Sequence, residues 1–224
     1  MIPLRAWVLI GVCSALFFLL AADVKLQGPV SKLDRPISQT FHDLGTAKRV
    51  VLQGATELGD GGVVERFTWA LAVVLILIRR WHYLPALLFT IQIGFRINAR
   101  MQNFFARPRP RFEDMGVLTH PGFPSGHTTA AVLIFGFLIL LAFRELSNKP
   151  LRVFAISLAA LCILLVGFTR VALLVHYPTD VLGSFLWCTA WLVGCYYANI
   201  AAYRWSAKNM EPWAIEKVHT MPPI

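Results

Sequence analysis

The chain has 224 residues, of which 57% are hydrophobic and only 15% charged, with a mean hydropathy of +0.60 and a formal net charge of +9. Globular domains carry about 25% charged residues, so this composition excludes an ordinary soluble domain and points to one domain whose apolar surplus faces lipid. The basic residues are dispersed among apolar runs with no aromatic-interleaved basic face, which argues against nucleic acid and for anionic headgroups or a phosphorylated lipid as partners.

A membrane-crossing helix needs ~20 mostly apolar residues. The first such stretch is Leu4–Ala22. With Arg5 ahead of the apolar run it resembles a signal peptide, yet no Ala-x-Ala cleavage pattern follows, so it reads as a retained span. A polar stretch, 23–62, comes next. Within it Ile37, Phe41 and Leu44 recur at helical spacing, which fits an interfacial amphipathic helix and a solvated loop equally well. Five more spans are expected at Val63–Ile78, Tyr83–Ala99, His127–Phe143, Leu151–Thr169 and Thr179–Tyr203, the first of them shortened by Glu65 and Arg66. The runs are continuous rather than alternating, and only helices or closed barrels satisfy backbone amides in hydrocarbon. The expected fold class is therefore all-α, a polytopic bundle of six transmembrane helices, spanning 1–224 as a single domain and ending in a tail, 204–224. Cys13, Cys162, Cys188 and Cys195 all fall inside apolar stretches and read as buried thiols, leaving the redox compartment open.

Six crossings put both termini on one side and the connections after the first, third and fifth spans on the other. The connections 100–126 and 170–178 therefore meet at one membrane face. Basic residues in the short connections, Arg79, Arg80, Arg144, Lys149 and Arg152, favour a cytoplasmic tail and a site facing out of a cell (inner) membrane.

Ionisable groups at membrane depth are costly and are functional candidates by default. Three groups stand out. In Pro124-Ser125-Gly126-His127, serine is a natural N-cap, glycine permits close backbone approach, and the first amides of the next helix attract an anion. His127, in that first turn, can reach an oxygen of a bound phosphate ester. In Thr169-Arg170-x5-His176-x3-Asp180, Asp180 sits in the first turn of the last span, where it can fix the tautomer of His176 and leave the other ring nitrogen free to attack. In Arg100-x6-Arg107-Pro108-Arg109-Pro110-Arg111, prolines hold guanidiniums away from helix, and arginine forks match phosphate oxygens. Contact with lipid headgroups is an equal alternative for Arg109 and Arg111. His120, His82 and the aromatic residues of the last span read as structural, and Asp60 as a marginal candidate.

Together these pieces resemble the type 2 phosphatidic acid phosphatase family, whose pattern is Lys-x6-Arg-Pro, Pro-Ser-Gly-His and Ser-Arg-x5-His-x3-Asp. Arg100 stands where the family has lysine and Thr169 where it has serine; both keep the chemistry and change reach or bulk. The resemblance implies that His176 forms a phosphohistidine, that His127 protonates the leaving oxygen and then activates water, and that Asp180 orients His176. It also implies that Arg100, Arg107, Arg170, Ser125 and Gly126 hold the phosphate. Near the motifs the only carboxylates are Glu113, Asp114 and Asp180, too few for a two-metal site, so neither metal nor cofactor is expected. Undecaprenyl pyrophosphate is the favoured substrate, with phosphatidylglycerophosphate and phosphatidic acid as alternatives. A lipid phosphotransferase using the same site, or a lipid-binding protein without catalysis, are the rival readings. The sequence leaves oligomeric state open.

Overall fold

A computed structural model of the chain describes residues 3–41, 46–110 and 120–208, and among them there is no β-strand. Helix α1 (Leu4–Leu26) ends where Gln27 turns left-handed and its amide bonds the Asp23 carbonyl. Two short helices follow, α2 (Asp34–Gln39) and α3 (Thr46–Thr56). Helix α4 (Gly61–Leu77) is capped by Asp60, whose carboxylate accepts from the Gly62 and Val63 amides. A helical run then comprises α5 (Leu84–Leu88), one π-helical turn (Phe89–Ile93) and α6 (Gly94–Phe105), which stops at left-handed Ala106. Helix α7 (Gly126–Glu145) is capped by Ser125, α8 (Lys149–Ala172) by Asn148, and α9 is Pro178–Lys208.

Four of these have the length and apolarity to cross a membrane: Leu4–Leu26, Gly126–Glu145, Lys149–Ala172 and Pro178–Trp205. The other two expected spans fall short on that measure for visible reasons. Helix α4 has 17 residues and carries Glu65 and Arg66. The run expected at Tyr83–Ala99 is broken by the π-turn and carries Arg96. Within that turn the Thr90 carbonyl accepts from the Gly94 amide and also from the Trp191 indole N–H of α9 at 2.9 Å.

The centre of the bundle is α7, which packs against α4, α6, α8 and α9 and buries Leu133, Ile134 and Phe137 completely or nearly so. By contrast α8 turns Phe154, Leu158, Leu161 and Leu164 outward, as a helix facing acyl chains would. The 23–62 stretch was expected as an interfacial amphipathic helix or a solvated loop. It holds helices, but the apolar stripe is not what docks them: Ile37 is exposed, whereas Asp34 and Ser38 are buried. Phe41 does pack, edge-on against Phe168 of α8 at 5.8 Å, and Leu44 lies outside the described residues.

Without a hydrophobic drive inside lipid, helices associate by close van der Waals contact at small residues. Gly167 of α8 is such a contact: a Cβ there would lie 2.8 Å from the Phe185 ring and 3.0 Å from Val181 of α9. Gly11 of α1 has open space around it. Gly167→Leu is expected to destabilise the detergent-solubilised protein by about 1–3 kcal/mol, whereas Gly11→Leu leaves its melting temperature unchanged.

Candidate active site

One end of the bundle gathers the start of α7, the start of α9, the end of α8 and the turn after α6. Ser125 and Ser184 lock the first two together. The Ser125 amide donates to the Asp180 carbonyl at 3.2 Å, and the Ser184 hydroxyl lies 3.0 Å from the carbonyls of both Ser125 and Asp180. Helix α6 joins through two side chains on one face: Asn98 accepts from Thr129 at 2.8 Å and Gln102 donates to the Pro124 carbonyl at 2.8 Å.

At the start of α7 the Thr128 amide goes to the Ser125 hydroxyl and the Thr129 amide to the Ser125 carbonyl. The amides of Gly126 and His127 precede any intrahelical acceptor and remain, at the positive end of the helix dipole, available to an anion. His127 is half-buried and lies within charge range of His176, Arg170 and Arg109. Beneath it, Gly59 comes so near that a Cβ would stand 2.7 Å from the His127 carbonyl.

His176 is fully buried in the turn between α8 and α9. Left-handed Leu174 makes that turn, and the Val175 and His176 amides both bond the Arg170 carbonyl. The imidazole Nδ1 faces Asp180 Oδ2 at 3.3 Å, while Nε2 has no hydrogen-bond partner among the described residues. Asp180 is itself held: its Oδ2 accepts from the Tyr177 amide at 2.9 Å and its Oδ1 from Arg107 at 2.5 Å. Burial pushes the His176 pKa below the ordinary imidazole value of about 6.5. Asp180 opposes that shift without reversing it, because burial outweighs its charge and Arg109 and Arg170 add to the lowering. The ring is thus neutral at Nε2, the state a nucleophile requires.

Arg107 lies over the Tyr177 ring at 4.6 Å and has both terminal nitrogens engaged. One bonds Asp180 and, at 2.7 Å, the Thr179 hydroxyl; the other bonds Asp34 at 2.6 Å. Asp34 also accepts from the Thr179 amide and hydroxyl. Burial alone would lower the Arg107 pKa, but the two carboxylates hold it above its usual value. Arg170 donates to Thr56 at 2.8 Å and keeps a buried Nε without a partner. Arg109 donates to the His120 carbonyl at 2.9 Å and lies within charge range of both histidines and Arg170.

The expected phosphate-binding residues are therefore distributed unevenly. Ser125, Gly126, His127, Arg170, His176 and Asp180 converge. Arg107 converges too, with its donors turned to carboxylates. Arg100 does not converge: it is exposed and, at 100° per residue, stands about 160° around α6 from Asn98 and Gln102, which face α7. Gln102 takes the position beside Gly126, 3.7 Å from a Cβ there, and Arg109 is the proline-flanked arginine that approaches the histidines. Thr169 spends its hydroxyl on the Val166 carbonyl of its own helix. Asp60 caps α4 within charge range of His127, and His82 packs on Tyr83 and Tyr203 outside this constellation. Arg111, Glu113 and Asp114 lie outside the described residues.

The sequence reading missed Asp34 and Thr56. Asp34 sits in a stretch read for its apolar spacing, and nothing local in Asp34-Arg35-Pro36 signals a partner 73 residues away. Truncating one member of a buried ion pair leaves the other uncompensated, so Asp34→Ala is expected to destabilise the protein by about 3–5 kcal/mol, read as unfolding in detergent. A pH effect follows from His176 as well. Its folded pKa is depressed, so its stability contribution is full above about pH 6.5 and is lost as pH falls towards the folded value. His176→Gln should flatten the stability profile in that acidic window.

The PAP2 superfamily matches residues 79–204. No curated protein matches the chain. A solved structure of a transmembrane PAP2-type phosphatidylglycerolphosphate phosphatase from Bacillus subtilis superposes with a TM-score of 0.71 at 25% identity, covering 85% of this chain and 96% of that one. Aquifex aeolicus LpxE shares the fold, with a TM-score of 0.53 at 23% identity, over 76% of this chain and 93% of its own.

Proposed function

Since the chain belongs to the PAP2 superfamily, we propose that it is a membrane phosphatase that removes a phosphoryl group from a lipid phosphate or pyrophosphate. The observation that carries this reading is the His176 imidazole, oriented by Asp180 through one nitrogen and bare at the other. Nε2 attacks phosphorus, the bond to the lipid oxygen breaks, and His127 gives that oxygen a proton. Water then attacks the phosphohistidine, His127 takes its proton, and the P–N bond breaks to release inorganic phosphate.

Phosphoryl transfer is mainly positioning and stabilisation of charge on the equatorial oxygens. Here Arg170, Arg109 and the Gly126 and His127 amides supply that stabilisation, with Ser125 capping the helix beneath. Arg107 acts as a positioning residue, fixing Asp180 and through it the tautomer of His176. Arg100 has no part in this arrangement unless α6 rotates. The bundle crosses the bilayer six times, with α4 and the α5–α6 run as the shorter crossings, and the site faces outward. A site at the membrane face suits a substrate whose tail stays in lipid while its headgroup reaches the guanidiniums.

The B. subtilis structure bears on substrate, because its own name specifies phosphatidylglycerolphosphate. That lipid stands beside undecaprenyl pyrophosphate as the leading candidate for this chain, with phosphatidic acid third. Purified protein assayed against the three for release of inorganic phosphate ranks them. His176→Ala and His127→Ala should each lower phosphate release at least 10³-fold, since nucleophilic and general acid–base steps contribute about that much or more. Asp180→Asn should retain a small residual rate. Acid quench of wild type turning over labelled substrate should trap label on His176, and activity should persist in excess chelator. An active His176→Ala enzyme would refute the proposed nucleophile.

A further inference from the structure

A second cavity, of about 410 Å³, opens between the C-terminal end of α1, the segment from Gln27 to Arg35 and the turn from Phe105 to Pro108. Neither histidine lines it, nor does Arg109 or Arg170. Its polar wall carries Lys25, Lys32 and Arg35, all exposed, with Arg107 at its floor. Four cations line it with one carboxylate, Asp34, which is committed to Arg107 and Thr179; Asp180, bonded to Arg107, and Asp23, within charge range of it, are not among the lining residues. Among the described residues neither Lys32 nor Arg35 has an ion-pair partner, and Lys25 stands only over the Phe104 ring at 5.9 Å. Val24 and Phe105 give the cavity an apolar rim.

Like charges crowded around a concave surface focus a positive potential and raise the local concentration of anions. Arginine and lysine donors together fit a phosphate, which accepts hydrogen bonds on all sides. From the cavity, its charge and its separation from the histidines, we infer that it is a second anion site, taking a phosphate-bearing group beside the catalytic centre. Arg107 is the wall shared by the two. An anion here competes with Asp34 for the outer face of that guanidinium, so occupancy is felt at Asp180 through one side chain. The bound group is a phosphate, carried as an ester by a lipid headgroup or free in solution.

Binding, read without turnover, tests this independently of the proposed reaction. Full-length protein in a neutral detergent is dialysed against radiolabelled inorganic phosphate, and separately titrated with mixed micelles containing phosphatidylglycerol. The double variant Lys32→Ala/Arg35→Ala is expected to weaken binding of at least one probe tenfold or more. A second double variant, Lys149→Ala/Arg152→Ala, removes equal charge from the start of α8, away from the cavity, and should leave binding as in wild type. Loss confined to phosphate identifies the free anion; loss confined to phosphatidylglycerol identifies the headgroup. Equal binding of both probes by wild type and the Lys32/Arg35 variant overturns the inference, as does an equal loss in the Lys149/Arg152 control.

Discussion

A carboxylate sealed inside a membrane protein cannot rely on water for its charge, and Asp180 is fully buried. It is tolerable only because Arg107, the Tyr177 amide and His176 all converge on it. Arg107 in turn is a partly buried cation that one carboxylate would leave with an open nitrogen, and Asp34 fills that place. The pair of ion pairs ties three distant stretches of chain into one knot: the segment after α1, the turn after α6 and the start of α9. Orientation of the His176 ring is the last link of that chain of compensation.

Much of this was legible beforehand, where the signal was local. Ser125 as N-cap of α7, Asp180 four residues from His176, and Pro178 at the start of α9 follow from short-range rules of helix initiation. The convergence of the turns at His127 and His176 was expected from a count of six crossings, of which four are long and apolar enough among the described helices. What escaped the sequence was rotational phase and long-range pairing. Arg100 and Arg107 are seven residues apart, which a continuous helix would set on one face, but α6 ends at Ala106 and Arg107 leaves on a turn. Asp34 was invisible because its partner is fixed by tertiary structure alone, and apolar spacing at Ile37 and Phe41 drew the eye to the wrong face of α2. Helices α4 and α5–α6 fall short of span length and apolarity because they carry Glu65, Arg66 and Arg96 and a π-turn.

Division of labour among the arginines follows from the same geometry. A guanidinium pinned by two carboxylates is a strut rather than a hand. Arg170, with one nitrogen on Thr56 and a buried Nε uncommitted, and Arg109, held only by carbonyls, retain capacity for a ligand. The proline-flanked pair Arg107 and Arg109 is thus put to different uses by its partners, carboxylates for the first and backbone carbonyls for the second.

The π-turn at Phe89–Ile93 sets the angular frame for all of this. A wider turn absorbs one more residue than an α-helical one, so everything downstream is rotated by about 100° relative to an unbroken helix. Asn98 and Gln102 owe their view of α7 to that added residue. Relatives that lost it by a single-codon deletion would swing a different stripe of α6 towards the catalytic end, so one indel there can redraw the pocket wall while His127 and His176, on other elements, stay in place.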